Sequence, residues 1–415
     1  MPDYGFYPHQ GYAVLRTGEK LEDSVLTVSA PQGSGHAHLT YGALSLTSRG
    51  LRLLTEPGQA VPMSEYHSQI LVNGEGRNRS SLSRPMLKKP VSDGKTVSVS
   101  VDFTEAFAVS FFGAPGYSGI PCGRAGIKEG KRIVTMVKAA DGIPAYYLVY
   151  DKVDAGKKVK VEQLFTADQG MNAGVRASSR QTSLVIDDAF TKGYYQSSDS
   201  KDQAEWTIQV PKKGKWYLHL YARDGAPVSL EIDGKKYAVT YMHPYSRPDT
   251  WQWRHFRMKN KPFFVELEAG EHKITLRSKA KIYAVALSEK SDIYLGADPK
   301  KELIMKLSDA RRTGTGWKWM ESEQTKLHLI PMIGKPELQI TRKIFNTRFH
   351  GQLQVSLPQG SFSQNGEKVE FLTFVYPAAP GMELPEIKDG KIIWKNAVDH
   401  VVIEKDHIKI RRVQK

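Results

Sequence analysis

The feature that most constrains this chain is its rhythm. Short runs of alternating β-branched and aromatic residues recur along its whole length, as at 95–102 (KTVSVSVD), 145–151 (AYYLVYD), 216–221 (WYLHLY) and 263–267 (FFVEL). Side chains alternate across a strand, so such runs are strands with one or both faces buried. Gly punctuates them at Asp93-Gly94, Asp233-Gly234 and Ala269-Gly270, and no long stretch carries a helical period. The expectation is an all-β fold of short antiparallel strands packed as sandwiches.

At 415 residues the chain exceeds what one core organises, so two or three domains are expected. A change of character near Val185-Ile186-Asp187-Asp188 opens a segment with its own succession of strands, from Ala204-Glu205-Trp206 through 228–234 (VSLEIDG) to 272–276 (HKITL). The simplest organisation is a large antiparallel β-sandwich in two parts, 1–185 and 293–415, interrupted by a smaller sandwich at 186–292. A segment of about 100 residues is a normal size for one domain.

Composition removes several classes. Cys122 is the only cysteine, which excludes an intrachain disulfide framework and a Cys-rich zinc module. No apolar run approaches the roughly 20 residues of a membrane helix. The opening MPDYGFYP has no basic stretch followed by an apolar one, so no secretory signal is expected in this sequence. A net charge of +15 favours polyanionic partners. Nucleic acid is not expected among them, since no recognition motif accompanies the charge. No phosphate-cradling glycine loop or Gly-x-Ser-x-Gly elbow is present.

The N-terminal 80 residues are richest in possible chemistry. His36-Ala37-His38 follows the small-residue run Pro31-Gln32-Gly33-Ser34-Gly35. Residues two apart in a strand share a face, so both imidazoles can serve one site. A turn at Arg49-Gly50 returns a second strand, Leu51 to Leu54, ending near Glu56; Ser64-Glu65-Tyr66-His67 then leads into Ile70-Leu71-Val72. Three histidines and a carboxylate can thus converge at one end of a sheet. Such donors suit zinc, which takes imidazole nitrogen and carboxylate oxygen at about 2.0–2.2 Å. Equally, His36 and His38 read as polar residues hydrogen-bonded at a sheet edge.

The order of these pieces carries a resemblance. Tyr7-Pro8-His9-Gln10-Gly11-Tyr12-Ala13-Val14-Leu15-Arg16, the His36-x-His38 pair, the Glu56-Pro57-Gly58 turn and Tyr66-His67-Ser68-Gln69-Ile70-Leu71-Val72-Asn73-Gly74 resemble the start of the C-terminal β-sandwich region of the heparinase II/III-like polysaccharide lyases. The resemblance implies β-elimination on acidic, uronate-containing polysaccharide in the bacterial periplasm or outside the cell. It implies that His36 is the active-site histidine acting on the substrate carboxylate, that Tyr66 stands at the catalytic rim, and that His38, Glu56 and His67 hold one zinc ion. Three departures stand out. Glu56 replaces the family's Asp, Ser68 and Gln69 replace the Asn after the histidine, and the stretch from Glu56 to His67 is short. The family's helical toroid does not precede this region in the sequence, so a toroid domain or chain is an implied partner.

The segment 186–292 resembles a carbohydrate-binding module of the galactose-binding-like type. Sugar sites combine exposed aromatic faces with polar groups for the hydroxyls. Tyr241, His243, Tyr245, Trp251 and Trp253 cluster in one stretch, and Arg247 and Arg254 add attraction for sulfate or carboxylate. For either tryptophan alone, plugging the core between two sheets is the competing reading. Two functions remain open on the sequence: a component of a polysaccharide lyase, or a non-catalytic glycan-binding or structural β-sandwich with a degenerate histidine site.

Overall fold

The computed structural model describes residues 3–20, 23–31, 40–55, 64–76, 86–107, 126–168, 171–177, 181–188, 193–223, 228–240, 252–259, 261–291, 302–321, 325–347 and 353–415. Among these the fold is all-β, built from antiparallel sheets, with three short 3-10 turns and no α-helix. No helix among them is long and apolar enough to cross a membrane. The chain divides into two compact units, one of Met1–Asp187, Thr325–Lys343 and Leu357–Lys415, the other of Asp188–Gln324 and Ile344–Ser356.

The first unit has three layers. Its centre is an 11-stranded sheet whose middle is formed by Glu129–Val137, Tyr146–Thr166 and Leu353–Ala378. One face packs on a four-stranded sheet made from Glu386–Lys388, Lys391–Ile393, Ala397–Ile403 and Ile408–Gln414. The other face receives residues of a five-stranded sheet that meanders from Tyr4 to Leu54. A strand covered on both sides has no solvent face, so it reads as a continuous apolar run instead of an alternation. That is why Tyr146-Tyr147-Leu148-Val149-Tyr150 is apolar at every position and buried at every position.

The two faces are chemically different. Tyr146, Leu148, Tyr150, Leu372, Phe374 and Tyr376 point toward the C-terminal sheet, where they meet Ile392, Trp394, Ile408 and Ile410. Each such fully buried side chain contributes about 1.5–3 kcal/mol. Asp399 is a charged group there, fully buried and bonded by the Tyr146 hydroxyl (2.9 Å), the Trp394 indole (3.2 Å) and both edges of Arg412 (2.7 and 2.9 Å). On the opposite face, Arg132 and Asp151 are directly paired across adjacent strands and both are buried.

The second unit is a two-sheet sandwich. A seven-stranded sheet and a five-stranded sheet enclose a core that includes Trp206, Trp216, Leu218, Leu230, Ile274 and Leu287. In Gln203–Val210, Ala204, Trp206, Ile208 and Val210 are buried while Thr207 and Gln209 are exposed, the period-2 pattern of a strand with one wet face. Positive φ at both residues of Asp233-Gly234, as at Arg49-Gly50 in the first unit, makes the tight type I′ turn that matches strand twist.

Candidate functional site

The site is built on the polar face of the central sheet. The Arg132 guanidinium binds Asp151 with two bonds, Nε to Oδ1 at 2.7 Å and Nη2 to Oδ2 at 2.8 Å. Its Nη1 donates to the carbonyls of Gly42 (2.6 Å) and Ser68 (2.9 Å). Asp151 Oδ2 also accepts from Gln163 Nε2 at 2.7 Å, and Gln163 Oε1 accepts from the Thr373 hydroxyl at 2.7 Å. A charge buried this deeply is tolerable only when its bonding capacity is met. Here the donors that Arg132 does not spend on Asp151 go to backbone carbonyls of two other segments, so the ion pair fixes where those segments lie.

One of those segments carries His67. Residues Ser64–Tyr66 form a 3-10 turn, with the His67 amide donating to the Ser64 carbonyl at 3.2 Å. Gln69 staples the turn from inside, its Nε2 donating to the Ser64 carbonyl at 2.8 Å and its Oε1 accepting from the Tyr41 amide at 3.2 Å. Ser68 Oγ accepts from the Thr166 amide at 2.9 Å, and Gln359 Nε2 donates to the Glu65 carbonyl (2.9 Å) and to Thr166 Oγ1 (2.8 Å). The Tyr41 hydroxyl donates to the Ile70 carbonyl. Gly76 is required for this packing, since a Cβ there would lie 2.0 Å from Ser64 Cβ. His67, Ser68 and Gln69 are all fully buried as a result.

Of the site residues expected from the sequence, His67 is therefore rigidly held in the interior. Tyr66 is half-buried, and burial, with the adjacent Glu65 carboxylate adding to it, raises its phenol above the ordinary value. His36, His38 and Glu56 lie outside the described residues. Their flanks are bonded to residues that follow His67 in the chain or bind that segment. Thr40 and Tyr41, just after His38, are buried, and Tyr41 is bound to Gln69 and Ile70. Thr55, just before Glu56, is buried and its amide donates to the Thr166 carbonyl at 3.0 Å. Next to it Arg52 pairs with Asp168. Among the described residues no group of three or more His, Cys, Asp or Glu side chains could hold a metal ion. In the second unit, Tyr241, His243, Tyr245, Arg247 and Trp251 lie outside the described residues. Trp253 sits on the strand Gln252–His255 opposite Tyr221, and Arg254 opposite Leu220.

Reading the sequence alone missed Arg132, Asp151, Gln163 and Gln359, the residues that position the His67 segment. The signal was present as single polar residues inside otherwise apolar strands: Arg132 before IVTMV and Asp151 after YYLVY. Ser68 and Gln69, departures from the family pattern, prove to be structural staples.

No protein-family model matches the sequence, and no curated protein matches it. Solved heparinase III structures are similar to it. A heparinase III gene product shares 11% identity over 100% of this chain and 43% of its own, with a TM-score of 0.45. A heparan sulfate lyase from Pedobacter heparinus shares 9% identity over 98% of this chain and 41% of its own, with a TM-score of 0.43. This chain thus spans 43% and 41% of the lengths of those two proteins.

Proposed function

We propose that this chain is the β-sandwich portion of a polysaccharide lyase acting on acidic, uronate-containing polysaccharide by β-elimination. The observation that carries the reading is the buried lattice from Arg132 to Gln69, which holds His67 in the interior beside the anchored flanks of the His36–His38 and Glu56 segments. A chain advances at most about 3.3–3.6 Å per residue. His38 is two residues from Thr40 and Glu56 is adjacent to Thr55, so both are within short reach of those anchors.

In this reading His38, Glu56 and His67 hold one zinc ion, which when bound braces the site and adds positive charge beside it. Elimination requires neutralisation of the uronate carboxylate, removal of the proton at C5 and protonation of the leaving oxygen. His36 takes the first role, as a hydrogen-bond donor to the carboxylate. Tyr66, half-buried and protonated at neutral pH as any tyrosine is, is the candidate to protonate the leaving oxygen. The remaining proton-transfer group and the second wall of the substrate cleft come from a helical toroid domain or partner chain, and the complete system works in the periplasm or outside the cell.

The test is elemental analysis of the purified chain beside a His38→Ala variant. About one zinc per chain, lost in the variant, supports the reading. No metal in either protein overturns the zinc assignment and moves a non-catalytic glycan-binding or structural role to first place.

A further inference from the structure

The second unit carries a solvent-open pairing of an aromatic ring with a cation that has no counter-ion among the described residues, at the edge where its two sheets end. Trp317–Glu321 is the edge strand of the seven-stranded sheet and Arg311–Thr313 the edge strand of the five-stranded one. Trp319 is 44% exposed, although exposing an indole to water forfeits a large hydrophobic gain. It stands directly opposite Tyr195 in the ladder, the two rings meeting edge to face with centroids 4.8 Å apart. The Arg312 guanidinium lies over the same tyrosine, 4.1 Å from its centroid.

Arg312 is oriented before any ligand arrives. Its Nη1 donates to the carbonyls of Leu307 (2.6 Å), Ser308 (3.1 Å) and Ala310 (3.4 Å), while no described residue accepts from Nε or Nη2 and no described carboxylate lies within ion-pair distance. The loop between the two edge strands is pinned as well. Gly314 and Gly316 pack so tightly on Asp202 that a Cβ at either would collide with its carboxylate, and Asp202 in turn accepts from Ser197 at 2.6 Å. Trp317 closes the loop with an indole bond to the Thr313 carbonyl at 3.1 Å. Arg311 and Lys318, exposed on the same two edge strands, add two positive charges to this edge, against the exposed carboxylate of Asp309.

We infer that Trp319 and Arg312 form a binding site for an acidic saccharide. The apolar face of a pyranose ring covers the Trp319 indole, and a carboxylate or sulfate oxyanion on the same or the adjacent sugar accepts from Arg312 Nε and Nη2. The charge of the site selects anionic over neutral glycans, and its fixed strands lower the ordering cost of binding. This site shares only its class of ligand with the lyase reading and needs neither the toroid nor the metal.

Calorimetry on the full chain tests it, using an alginate hexasaccharide, a sulfated glycosaminoglycan hexasaccharide, maltohexaose and oligothymidylate as probes. Trp319→Ala should weaken binding of the acidic sugars at least about tenfold at an unchanged melting temperature, Trp319→Phe should retain most of it, and maltohexaose should not bind. Binding of the alginate probe shows that a carboxylate suffices, and binding of the sulfated probe alone assigns the oxyanion as sulfate. Undiminished binding in His38→Ala separates this site from the lyase site, so either can fail without the other. Wild-type affinity in Trp319→Ala overturns the proposal. So does oligothymidylate binding that matches the sugars and falls equally in that variant, which would make the surface a nucleic-acid site.

Discussion

The two units solve the problem of a buried polar group in opposite ways. The first buries a full ion pair, Arg132 with Asp151, and spends its remaining hydrogen bonds on the backbone of two other segments. The second buries His219 as a neutral imidazole on the face of its strand turned away from the apolar core that Leu218 and Leu220 line, with Nε2 bonded to the Lys290 carbonyl at 3.2 Å. Burial pushes that imidazole down to about 3. A saturated ion pair specifies geometry, because each partner has only one arrangement that satisfies it. The apolar core of the second unit, with the neutral histidine on the opposite face of the sheet, specifies packing and leaves recognition to the surface. The candidate site of the first unit is accordingly internal, and that of the second is an exposed edge.

The sharpest way to break this contrast is Arg132→Met. It leaves Asp151 buried without its cation, with the Gln163 amide still bound, takes the Arg132 donor from the Gly42 carbonyl and removes one of two donors to the Ser68 carbonyl, so the first unit should lose about 3–5 kcal/mol in chemical denaturation. Pairing it with Asp151→Leu should recover only part of that loss. Full recovery would mean that the backbone bonds carry nothing and that the lattice is not what holds the His67 segment. Leu218→Ala in the second unit should cost about 2–5 kcal/mol through an apolar cavity alone. If the proposed zinc is present, its content should match the wild type in this variant, and its loss would show that the two interiors are coupled.

Two histidines of the second unit sharpen the comparison with opposite signs. Between about pH 6.5 and pH 3 the unfolded chain protonates at His219 and the folded chain does not, so stability falls as pH drops through that window, by about 1.4 kcal/mol per unit. Urea midpoints measured from pH 7 to pH 4.5 check this, and a His219→Gln variant should flatten the slope. His272 behaves the other way. Its bond to Asp233 (2.7 Å) raises its pKa, so its contribution is present below about pH 6.5 and is lost as pH rises through the raised value. Asp233 is 46% exposed, and solvent screening keeps this effect under about 1 kcal/mol. His272→Ala should remove it with a shift of the melting temperature small enough to need paired scans.

Much of the fold was legible in the strings of residues. The strand at 95–102, the turn at Arg49-Gly50 and the strand after it follow from period-2 patterning and from turn chemistry, which are local effects. The site was legible only in part. His67 stood out because histidine is chemically conspicuous, whereas Gln69 looked like a defect in a motif until its bonds to Ser64 and Tyr41 gave it a structural role. Trp319 and Arg312 were invisible as a pair. They stand seven positions apart in sequence, and the common contact with Tyr195, more than a hundred positions earlier, brings them together.

By itself, then, the sequence determined that this chain is β throughout, where many of its strands begin and turn, and that it carries an excess of positive charge. Those properties depend on neighbours along the chain, through steric preference, alternation and composition. Only the tertiary structure decided which strands are covered on both faces, which buried charges find partners, and which aromatic rings stay in water. These depend on contacts between residues tens to hundreds of positions apart, such as Arg132 with Gly42 and Thr373 with Gln163, and a pattern with a period of two residues carries no record of them.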